Sequence, residues 1–424
     1  MLVPSEVVFR ETASERRDSR MSRSLLYHGF GIRGYDYQRT RFERGGVTLV
    51  IRQPRDRLAC AVCGSRRVFS QGQVLRRFRS VPIGNKPVEI EFAVPRVRCR
   101  DCGLVRQVKV PFAPPRRRHT KAFERYALEL ARITTTQDAA RHLGVSWDVV
   151  RDIEQRHLEK HYARPKLKHL KRIALDEIAV RKGHKYLTLV MDLDSGQVVY
   201  VGQGRGARSL DDFWKRLKAS GARIEAVATD MLPAYIEAVQ RNLPKAALVF
   251  DRFHIMKLFN RKLSDLRREL YREATDQLQK KVLKGTRWLL LKNEENLDES
   301  RHERRRLEDA LALNRSLAIA YYLKEDLREF WEQPGRNTAA WFLRDWCARA
   351  RASGIRLLIQ FANTLAGHRS GILAWYDHPI STGPLEGTNN KIKTLKRQAY
   401  GYRNQDYFKL KILAIHRSQY ALVG

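Results

Sequence analysis

Three acidic residues in the second half of the chain have the types and settings that metal-dependent displacement chemistry requires. Asp176 interrupts a strand-length apolar run, Asp230 ends another, and Glu386 follows a proline that suits the start of a helix. Carboxylates brought together repel one another unless cations lie between them. Two magnesium ions about 3.5–4 Å apart would relieve that repulsion and hold both the attacking and the leaving oxygen of an in-line displacement.

Other acids in the same stretch fit ordinary structural roles. Asp192 and Asp194 flank a hairpin turn, and Asp251 suits the N-cap of a helix that begins at Arg252. An aspartate at the end of a strand is more often a turn or cap residue than a metal ligand. Spacing alone therefore leaves open which three acids act together.

Apolar spacing indicates the elements that must position these acids. Strand-length runs lie at residues 172–180, 186–192, 198–201, 224–230 and 246–250. A helix capped by Ser209 separates the third run from the fourth, and a helix opened by Pro233 separates the fourth from the fifth. Three strands followed by helix, strand, helix and strand is the order expected of a ribonuclease-H-like core. The two aspartates then lie on different strands of one sheet, where they can converge.

Paired cysteines indicate a second, structural metal. Cys60 and Cys63 form one CxxCG turn, and Cys99 and Cys102 form another. Two such turns supply four thiolates to a closed tetrahedral zinc site, which is structural because no coordination position stays open. The segment between them alternates like a strand, so the unit is interpreted as a zinc ribbon. An iron site, two disulfides and chance pairing are the alternatives, and Cys347, which has no such partner, is expected to be a buried thiol.

The segment Thr135–Ile153 has the spacing of a helix-turn-helix. Gly144 supplies the turn, small and apolar residues fill the space between the helices, and Ser146 suits the cap of the second helix. A plain helical hairpin uses the same apolar spacing and is the alternative. If the motif binds DNA, its second helix enters a major groove. The predicted contacts on that helix are Ser146, Trp147, Arg151 and Gln155.

Composition favours a nucleic acid as the partner. Lys and Arg exceed Asp and Glu by 36 in 424 residues, and each cation that neutralises a phosphate also releases condensed counterions. A solvated basic surface and a membrane-binding face are the alternatives. No apolar run approaches the length that spans a bilayer, and the first twenty residues lack the apolar core of a secretion signal. A cytoplasmic, DNA-associated protein with no membrane partner is the expectation.

From about Leu25 to its end the chain resembles the ISL3 family of insertion-sequence transposases. The stretches that carry the resemblance are CAVCGS, VPRVRCRDCG, HLGVSWDVV, IALDEIAVRKGHKY, VATDMLPAY, VFDRFHIMKLFNR, LLLKNEENL and GPLEGTNNKIKTLKRQAYGYRN. The family implies a DDE transposase whose Asp, Asp and Glu fall on Asp176, Asp230 and Glu386. The DRFH stretch adds Asp251 and His254 as second-rank site residues.

The resemblance also implies a multidomain α+β organisation. The expected divisions are a disordered extension at 1–24, a zinc ribbon domain at 25–115, a helix-turn-helix DNA-binding domain at 116–165, the first part of a ribonuclease-H-like mixed α/β core at 166–260, an all-helical insertion at 261–375, and the C-terminal part of the core with the catalytic glutamate at 376–424.

The implied activity is cleavage and joining of double-stranded DNA at the inverted repeats that end the element. The expected cofactors are two catalytic Mg²⁺ or Mn²⁺ ions and one structural Zn²⁺. The expected assembly is a homodimer or larger complex on DNA, associated with a bacterial nucleoid. A nuclease or resolvase on the same fold and a DNA-binding regulator are the rival functions. The cations expected to hold the DNA backbone beside Glu386 are Lys391, Lys393, Lys396 and Arg397.

Overall fold

A computed structural model describes residues 25–181 and 185–416, except for the side chain of residue 278. The extension expected at 1–24 lies outside the described residues. The chain divides into two compact units, the first reaching Lys160 and the second covering His161–Arg417.

The first unit begins with a mixed sheet. A short helix, α1 (Leu25–His28), precedes strands β1 (Asp36–Glu43), β2 (Gly46–Arg52), β3 (Val68–Ile83), β4 (Lys86–Cys99) and β5 (Val105–Gln107). The strands lie in the order β1-β2-β4-β3, with β5 paired to β4; only β2 and β4 run parallel. Alternate residues of the central strand β4, including Val88, Ile90 and Phe92, are buried in one apolar core. The segment between the cysteine pairs is thus a long hairpin of β3 and β4.

Three helices complete the first unit, namely α2 (Lys121–Ile133), α3 (Thr136–Leu143) and α4 (Trp147–Tyr162), the last of which crosses the boundary between units. The side chain of Thr135 accepts a hydrogen bond from the backbone N–H of Asp138 and so caps α3. Gly144 ends α3 with φ of 59°, a left-handed conformation that favours glycine. The sheet supports this turn, because the Arg79 guanidinium donates to the Leu143 carbonyl over 2.7 Å.

The second unit contains a five-stranded mixed sheet. Its strands are β6 (Arg172–Arg181), β7 (Lys185–Asp192), β8 (Val198–Gln203), β9 (Ala226–Thr229) and β10 (Ala247–Phe250). They lie in the order β10-β9-β6-β7-β8. The pairs β6–β7 and β7–β8 are antiparallel, whereas β6–β9 and β9–β10 are parallel. These strands match the five predicted runs.

Two helices, α5 (Asp211–Ser220) and α6 (Pro233–Asn242), pack on one face of this sheet. Ile173 and Leu175 of β6 contribute to that apolar interface, and Phe213 of α5 is fully buried in it. Pro233 begins α6 as predicted. The prediction that Ser209 caps α5 is wrong, because the residue before α5 is Leu210. Ser209 lies in a 3₁₀ turn, where its hydroxyl donates to Thr188 and Gly206.

Beyond β10, every element that the structure describes is helical. The helices are α7 (Arg252–Glu273), α8 (Gln277–Gly285), α9 (Glu303–Leu313), α10 (Arg315–Arg328), α11 (Arg336–Ala352), α12 (Arg356–Gly367), α13 (Arg369–Leu373), α14 (Gly383–Gln398) and α15 (Gln405–Leu413), with short 3₁₀ turns between some of them. Helices α7 to α13 share one apolar core around Phe259, Trp346 and Phe361, each of which is fully buried. Cys347 is buried in the same core, as predicted.

Helices α14 and α15 return to the sheet, where they contact β6 and β8 respectively. Strand β6 therefore packs against α5 and α6 on one face of the sheet and also contacts α14. Because successive side chains of a strand point to opposite faces, Asp176 points away from the face that Leu175 buries. The fold thus directs Asp176 toward α14.

Helix α13 approaches strand β10 closely at Gly371, and this contact can be tested directly. A Cβ added at Gly371 would lie 2.4 Å from Cε2 of Phe250 and 3.1 Å from the Leu248 carbonyl oxygen. Gly371→Ala is expected to lower the free energy of unfolding by about 1–3 kcal/mol, as overpacked sites do. Gly367→Ala is the matched control, since a Cβ there meets nothing within 4 Å. Thermal denaturation of both variants checks this, and equal stability would contradict the packing.

Candidate active site and DNA-binding modules

Asp176 lies in the middle of β6 and is held at both carboxylate oxygens. Oδ1 accepts the backbone N–H of Glu177 over 2.7 Å, and Oδ2 accepts the side-chain amide of Asn389 over 2.8 Å. Asn389 belongs to α14 and is only 6% exposed. The contact therefore ties the acid on the sheet to a helix more than 200 residues further along the chain, since the two positions are 213 residues apart.

Asp230 lies beside Asp176 because of strand register. Ala174 of β6 is paired with Ala228 of the parallel strand β9. Each aspartate follows its alanine by two residues, so both lie at the same level and on the same face of the sheet, on strands about 4.8 Å apart. The Asp230 carboxylate is partly exposed and accepts the backbone N–H of Leu232 over 3.1 Å. The two predicted aspartates are thus brought together.

Asp251 follows β10 and continues this row. Phe250 is paired with Thr229, so Asp251 lies level with Asp230 on the next strand. Its carboxylate caps α7 by accepting the His254 backbone N–H over 3.3 Å, and it contacts Nδ1 of His254 at 3.1 Å. Its other oxygen accepts the Thr382 backbone N–H, just before α14. Asp251 is thus the predicted N-cap and also links the starts of two helices.

Burial and charge perturb the groups around this row. Burial, with a smaller effect from the Asp230 charge, raises the pKa of Asp176 to about 6. Burial opposes protonation of His254, but its bond to Asp251 and the charges of Asp176 and Asp230 raise its pKa overall. The centre is therefore negative and partly desolvated. Such a site attracts cations.

Glu386 lies in the first turn of α14, one helical turn before Asn389. It is partly exposed, and its backbone N–H donates to the Thr382 carbonyl over 3.0 Å. Residues three apart on a helix share a face. Glu386 therefore lies on the side of α14 that reaches Asp176.

The three predicted acids do not close on one point. In the part of the chain that the structure describes, the four paired cysteines are the only group of three or more candidate ligands whose atoms all lie within 4.8 Å of one another. Asn389 was missed by sequence reasoning. Nothing in the local sequence distinguishes it from Asn390, and among the described residues its Oδ1 is buried without a hydrogen-bond partner.

Glu177, next to Asp176, serves a different role. It forms an ion pair with Arg205 at 2.6 Å and accepts the hydroxyl of Tyr235 over 3.1 Å. Burial, together with the Glu177 charge, raises the pKa of that tyrosine. Glu177 is therefore satisfied on the α6 side of the sheet and is not part of the acidic row.

The four cysteines form the predicted metal-binding cluster. Sγ of Cys60 lies 3.6 Å from Sγ of Cys102, and Sγ of Cys63 lies 3.5 Å from Sγ of Cys99. A tetrahedron with zinc–sulfur bonds of about 2.3 Å has edges of about 3.8 Å, whereas a disulfide is about 2.05 Å long. All four are free thiols. The spacing fits a structural zinc ion and excludes disulfides.

The backbone around the cysteines favours thiolates. The N–H groups of Cys63 and Val62 lower the pKa of Cys60 to about 6, whereas contacts with the neighbouring thiols raise the pKa of Cys63 to about 12 and also raise that of Cys102. The N–H group of Cys102 lowers the pKa of Cys99 in the same way. Such donors stabilise the anionic form that ligates metal.

The predicted DNA contacts occupy accessible positions on two helices. On α4, Trp147 is 41% exposed and the Arg151 guanidinium lies 5.3 Å from the centre of its ring. Ser146 precedes this helix and is exposed, and Gln155 is partly exposed. On α14 the four predicted cations are accessible, with Lys396 the least so.

Comparison with known proteins identifies the family. A family model described as a transposase matches residues 173–412. A helix-turn-helix domain of transposase family ISL3 matches residues 108–158. A zinc-finger of the IS204/IS1001/IS1096/IS1165 transposases matches residues 56–102. The chain belongs to the ISL3 family of transposases.

Relatives of known name agree with this assignment. The chain is 34% identical over 402 residues to the transposase for insertion sequence element IS1001 of Bordetella parapertussis, covering 93% of this chain and 98% of that protein. It is 30% identical over 393 residues to the transposase for IS1557 of Mycobacterium tuberculosis, covering 85% and 87%. The solved Drosophila P element transposase strand transfer complex matches with a TM-score of 0.33 and 11% identity, over 60% of this chain and 78% of that one.

The protein is therefore a DNA-binding transposase with a zinc ribbon and a helix-turn-helix in its first unit. The family membership confirms the predicted resemblance. Within residues 25–181 and 185–416, no helix is long and apolar enough to cross a membrane.

Proposed function

We propose that this transposase cleaves and joins DNA through a DDE triad of Asp176, Asp230 and Glu386. The observation that carries the proposal is the register of β6 and β9, which aligns the two aspartates on one face of the sheet. Helix α14 supports the third assignment, because Asn389, one turn after Glu386, donates to Asp176.

The sheet supports a ribonuclease-H-like core. Three antiparallel strands followed by two strands parallel to the first give the order β10-β9-β6-β7-β8. The helices between β10 and α14 would then be an insertion into that core, as the expected division at 261–375 requires. The other expected boundaries within the described residues, at 115 and 165, belong to the same proposal.

The acidic row fits divalent cations by the chemistry of its donors. Carboxylate oxygens are the ligands that Mg²⁺ and Mn²⁺ prefer, and burial of Asp176 beside Asp230 disfavours a bare negative charge. Asp176, Asp230 and Glu386 would hold two such ions. When bound, the ions supply Lewis-acid activation of the attacking oxygen and charge neutralisation at the leaving oxygen.

The chain itself supplies position. Asn389 fixes the rotamer of Asp176, and the Asp251 carboxylate fixes the starts of α7 and α14 around it. His254 adds a group with a raised pKa beside the aspartates.

A water molecule attacks the phosphodiester at the element boundary and frees a 3′-hydroxyl. That hydroxyl attacks target DNA in the same site.

DNA is held by two modules in this proposal. The zinc ribbon and the α4 residues Ser146, Trp147, Arg151 and Gln155 bind the terminal inverted repeats. The backbone near the reacting phosphate is held by Lys391, Lys393, Lys396 and Arg397. A dimer or larger assembly pairs the two ends, on the bacterial nucleoid in the cytoplasm. Loss of one α14 cation is expected to weaken binding to all DNA sequences. It should also reduce the slope of log affinity against log salt concentration by about one.

The test is cleavage and joining of duplexes that carry the two DNA segments flanking the gene. The wild-type chain is expected to nick these ends and transfer them to a target plasmid with Mg²⁺ or Mn²⁺, and to do neither in EDTA. Products are resolved on denaturing gels. Binding without metal-dependent cutting would refute the proposed mechanism, whereas cutting without joining would favour a nuclease.

A further inference from the structure

Tyr400 has an unusual position directly after α14. Its side chain is 99% exposed, which makes it the most exposed large apolar side chain among those described. Its backbone has φ of 51°, in the left-handed region that residues other than glycine rarely adopt. The residue thus combines an unfavourable backbone with a ring that packs against none of the residues that the structure describes.

Hydrogen bonds define this turn as a Schellman motif. The N–H of Gly401 donates to the Lys396 carbonyl over 2.9 Å, and the N–H of Tyr400 donates to the Arg397 carbonyl over 3.0 Å. Tyr400 therefore occupies the first position beyond the helix cap, which glycine usually fills because it carries no Cβ. Helix α11 ends in the ordinary way, with Gly354 at φ of 69° in the corresponding position.

Packing and backbone preference both argue against a tyrosine here. Glycine would form the same two hydrogen bonds without strain, and removal of the ring would uncover no core. Residues held in sparsely populated backbone conformations cluster at active sites, ligand clamps and switch regions. The ring of Tyr400 is therefore available to a partner.

The surroundings identify that partner by charge. Lys393, Lys396 and Arg397 lie in the last turns of α14, and Arg403 follows the turn. A polyanion matches this surface, whereas an apolar protein surface or a basic segment does not. An exposed aromatic ring beside cations that track a phosphate backbone is the arrangement that binds unstacked bases.

We propose that Tyr400 stacks on a DNA base near the cleavage site. Fourteen residues separate it from Glu386, so it lies about 21 Å away along the helix axis at 1.5 Å per residue. At about 3.4 Å per base step, a strand that follows α14 places this base about six nucleotides from the reacting phosphate. This distance rests on the proposed function; the stacking contact itself requires only that α14 bind DNA.

The test combines protein variants with damaged DNA. Fluorescently labelled duplexes of the element ends, each with one abasic site between two and ten nucleotides from the cut, are titrated with wild-type chain, Tyr400→Ala, Tyr400→Phe and Tyr400→Gly. Loss of a base stack is expected to weaken wild-type binding about tenfold at one position. Tyr400→Ala should bind intact DNA about tenfold more weakly than wild type does. Its affinity for the DNA with that abasic site should equal its affinity for intact DNA. Tyr400→Phe should resemble wild type on both DNAs.

Two controls separate stacking from folding. Tyr322→Ala removes a tyrosine that is 63% exposed on α10 and should change neither affinity nor stability. Tyr400→Gly should melt no lower than wild type, because it relieves the left-handed strain, yet bind as weakly as Tyr400→Ala. Each of three results would overturn the proposal. Tyr400→Phe could bind as weakly as Tyr400→Ala, or Tyr400→Gly could melt at a lower temperature than wild type. The affinity losses from Tyr400→Ala and from the abasic site could also add at every position. Because binding is measured, failure of the DDE assignment would leave this result unaffected.

Discussion

Glu386→Gln is expected to slow both DNA cleavage and strand transfer by at least about 10³-fold while leaving the affinity for the element ends intact. The substitution keeps the size of the side chain and removes the charge that a divalent ion needs from its third carboxylate. Loss of several kcal/mol of transition-state charge stabilisation corresponds to that factor, since each 1.36 kcal/mol is tenfold. Single-turnover cleavage and joining, measured beside a binding titration, check the expectation.

Matched variants make this result specific to the acidic row. Asp176→Asn should be as inactive as Glu386→Gln, because Asp176 is buried and is aligned with Asp230 in the acidic row. Glu237→Gln, at an exposed position of α6, should be fully active. Asn389→Leu removes only the donor to Asp176, so its activity should fall about 10- to 100-fold and its Mg²⁺ requirement should rise.

Retention of wild-type activity by Glu386→Gln would remove Glu386 from the triad without affecting the aspartates. Equal loss of activity and of DNA affinity would instead indicate that the glutamate contributes to binding or to the fold of α14. A normal melting temperature is therefore part of the measurement.

The difference between these acids reflects what a sequence can specify. Asp176 and Asp230 were predictable because each lies in or at the end of a short apolar run of strand length, which is a local pattern. Their alignment was not predictable, because register depends on pairing between strands about 50 residues apart. The position of Glu386 on α14 depends on packing across the whole helical segment. No periodicity encodes that packing, so the family resemblance was needed.

Similar limits explain the residue that was missed and the one that was misassigned. Asn389 is recognisable only once α14 is seen against β6, since nothing in its neighbourhood distinguishes it from Asn390. Ser209 was expected at a helix cap because serine commonly serves there, yet a preceding 3₁₀ turn moved the start of α5 by one residue. The helix-turn-helix and the cysteine turns were predicted well because each is specified by a short segment.

Asp251 shows how structural and functional interpretations of one acid can both hold. It was expected as a helix cap from its position and as a site residue from the family resemblance. Its carboxylate caps α7, contacts His254 and accepts a hydrogen bond from the Thr382 backbone N–H. Its position directly after β10 continues the row of Asp176 and Asp230. With these bonds its pKa is lowered despite burial. We therefore assign it to positioning rather than to metal binding.

Cys99→Ser is expected to abolish zinc binding by the first unit and to lower the affinity for the element ends by about 10³-fold, toward non-specific binding. Cys99 is buried at the end of β4, the central strand of the unit, so loss of the ion releases the strand that organises the sheet. Structural zinc contributes about 10–16 kcal/mol in isolated zinc-finger peptides, far more than a small sheet can replace. The effect should reach the helix-turn-helix, because Arg79 of β3 holds the carbonyl of Leu143 at the turn.

Zinc content per chain, thermal denaturation and end-binding titrations measure this prediction on the full protein. Cys347→Ser is the matched control, since that cysteine is buried in the helical core of the second unit and is not one of the four clustered cysteines, so one zinc ion should stay bound. A chelator should reproduce the Cys99→Ser defect in wild type, and added zinc should reverse it. Full affinity for the ends in a zinc-free chain would show that the sheet and the turn that it supports fold without the ion, and the metal would then have no structural role in DNA recognition.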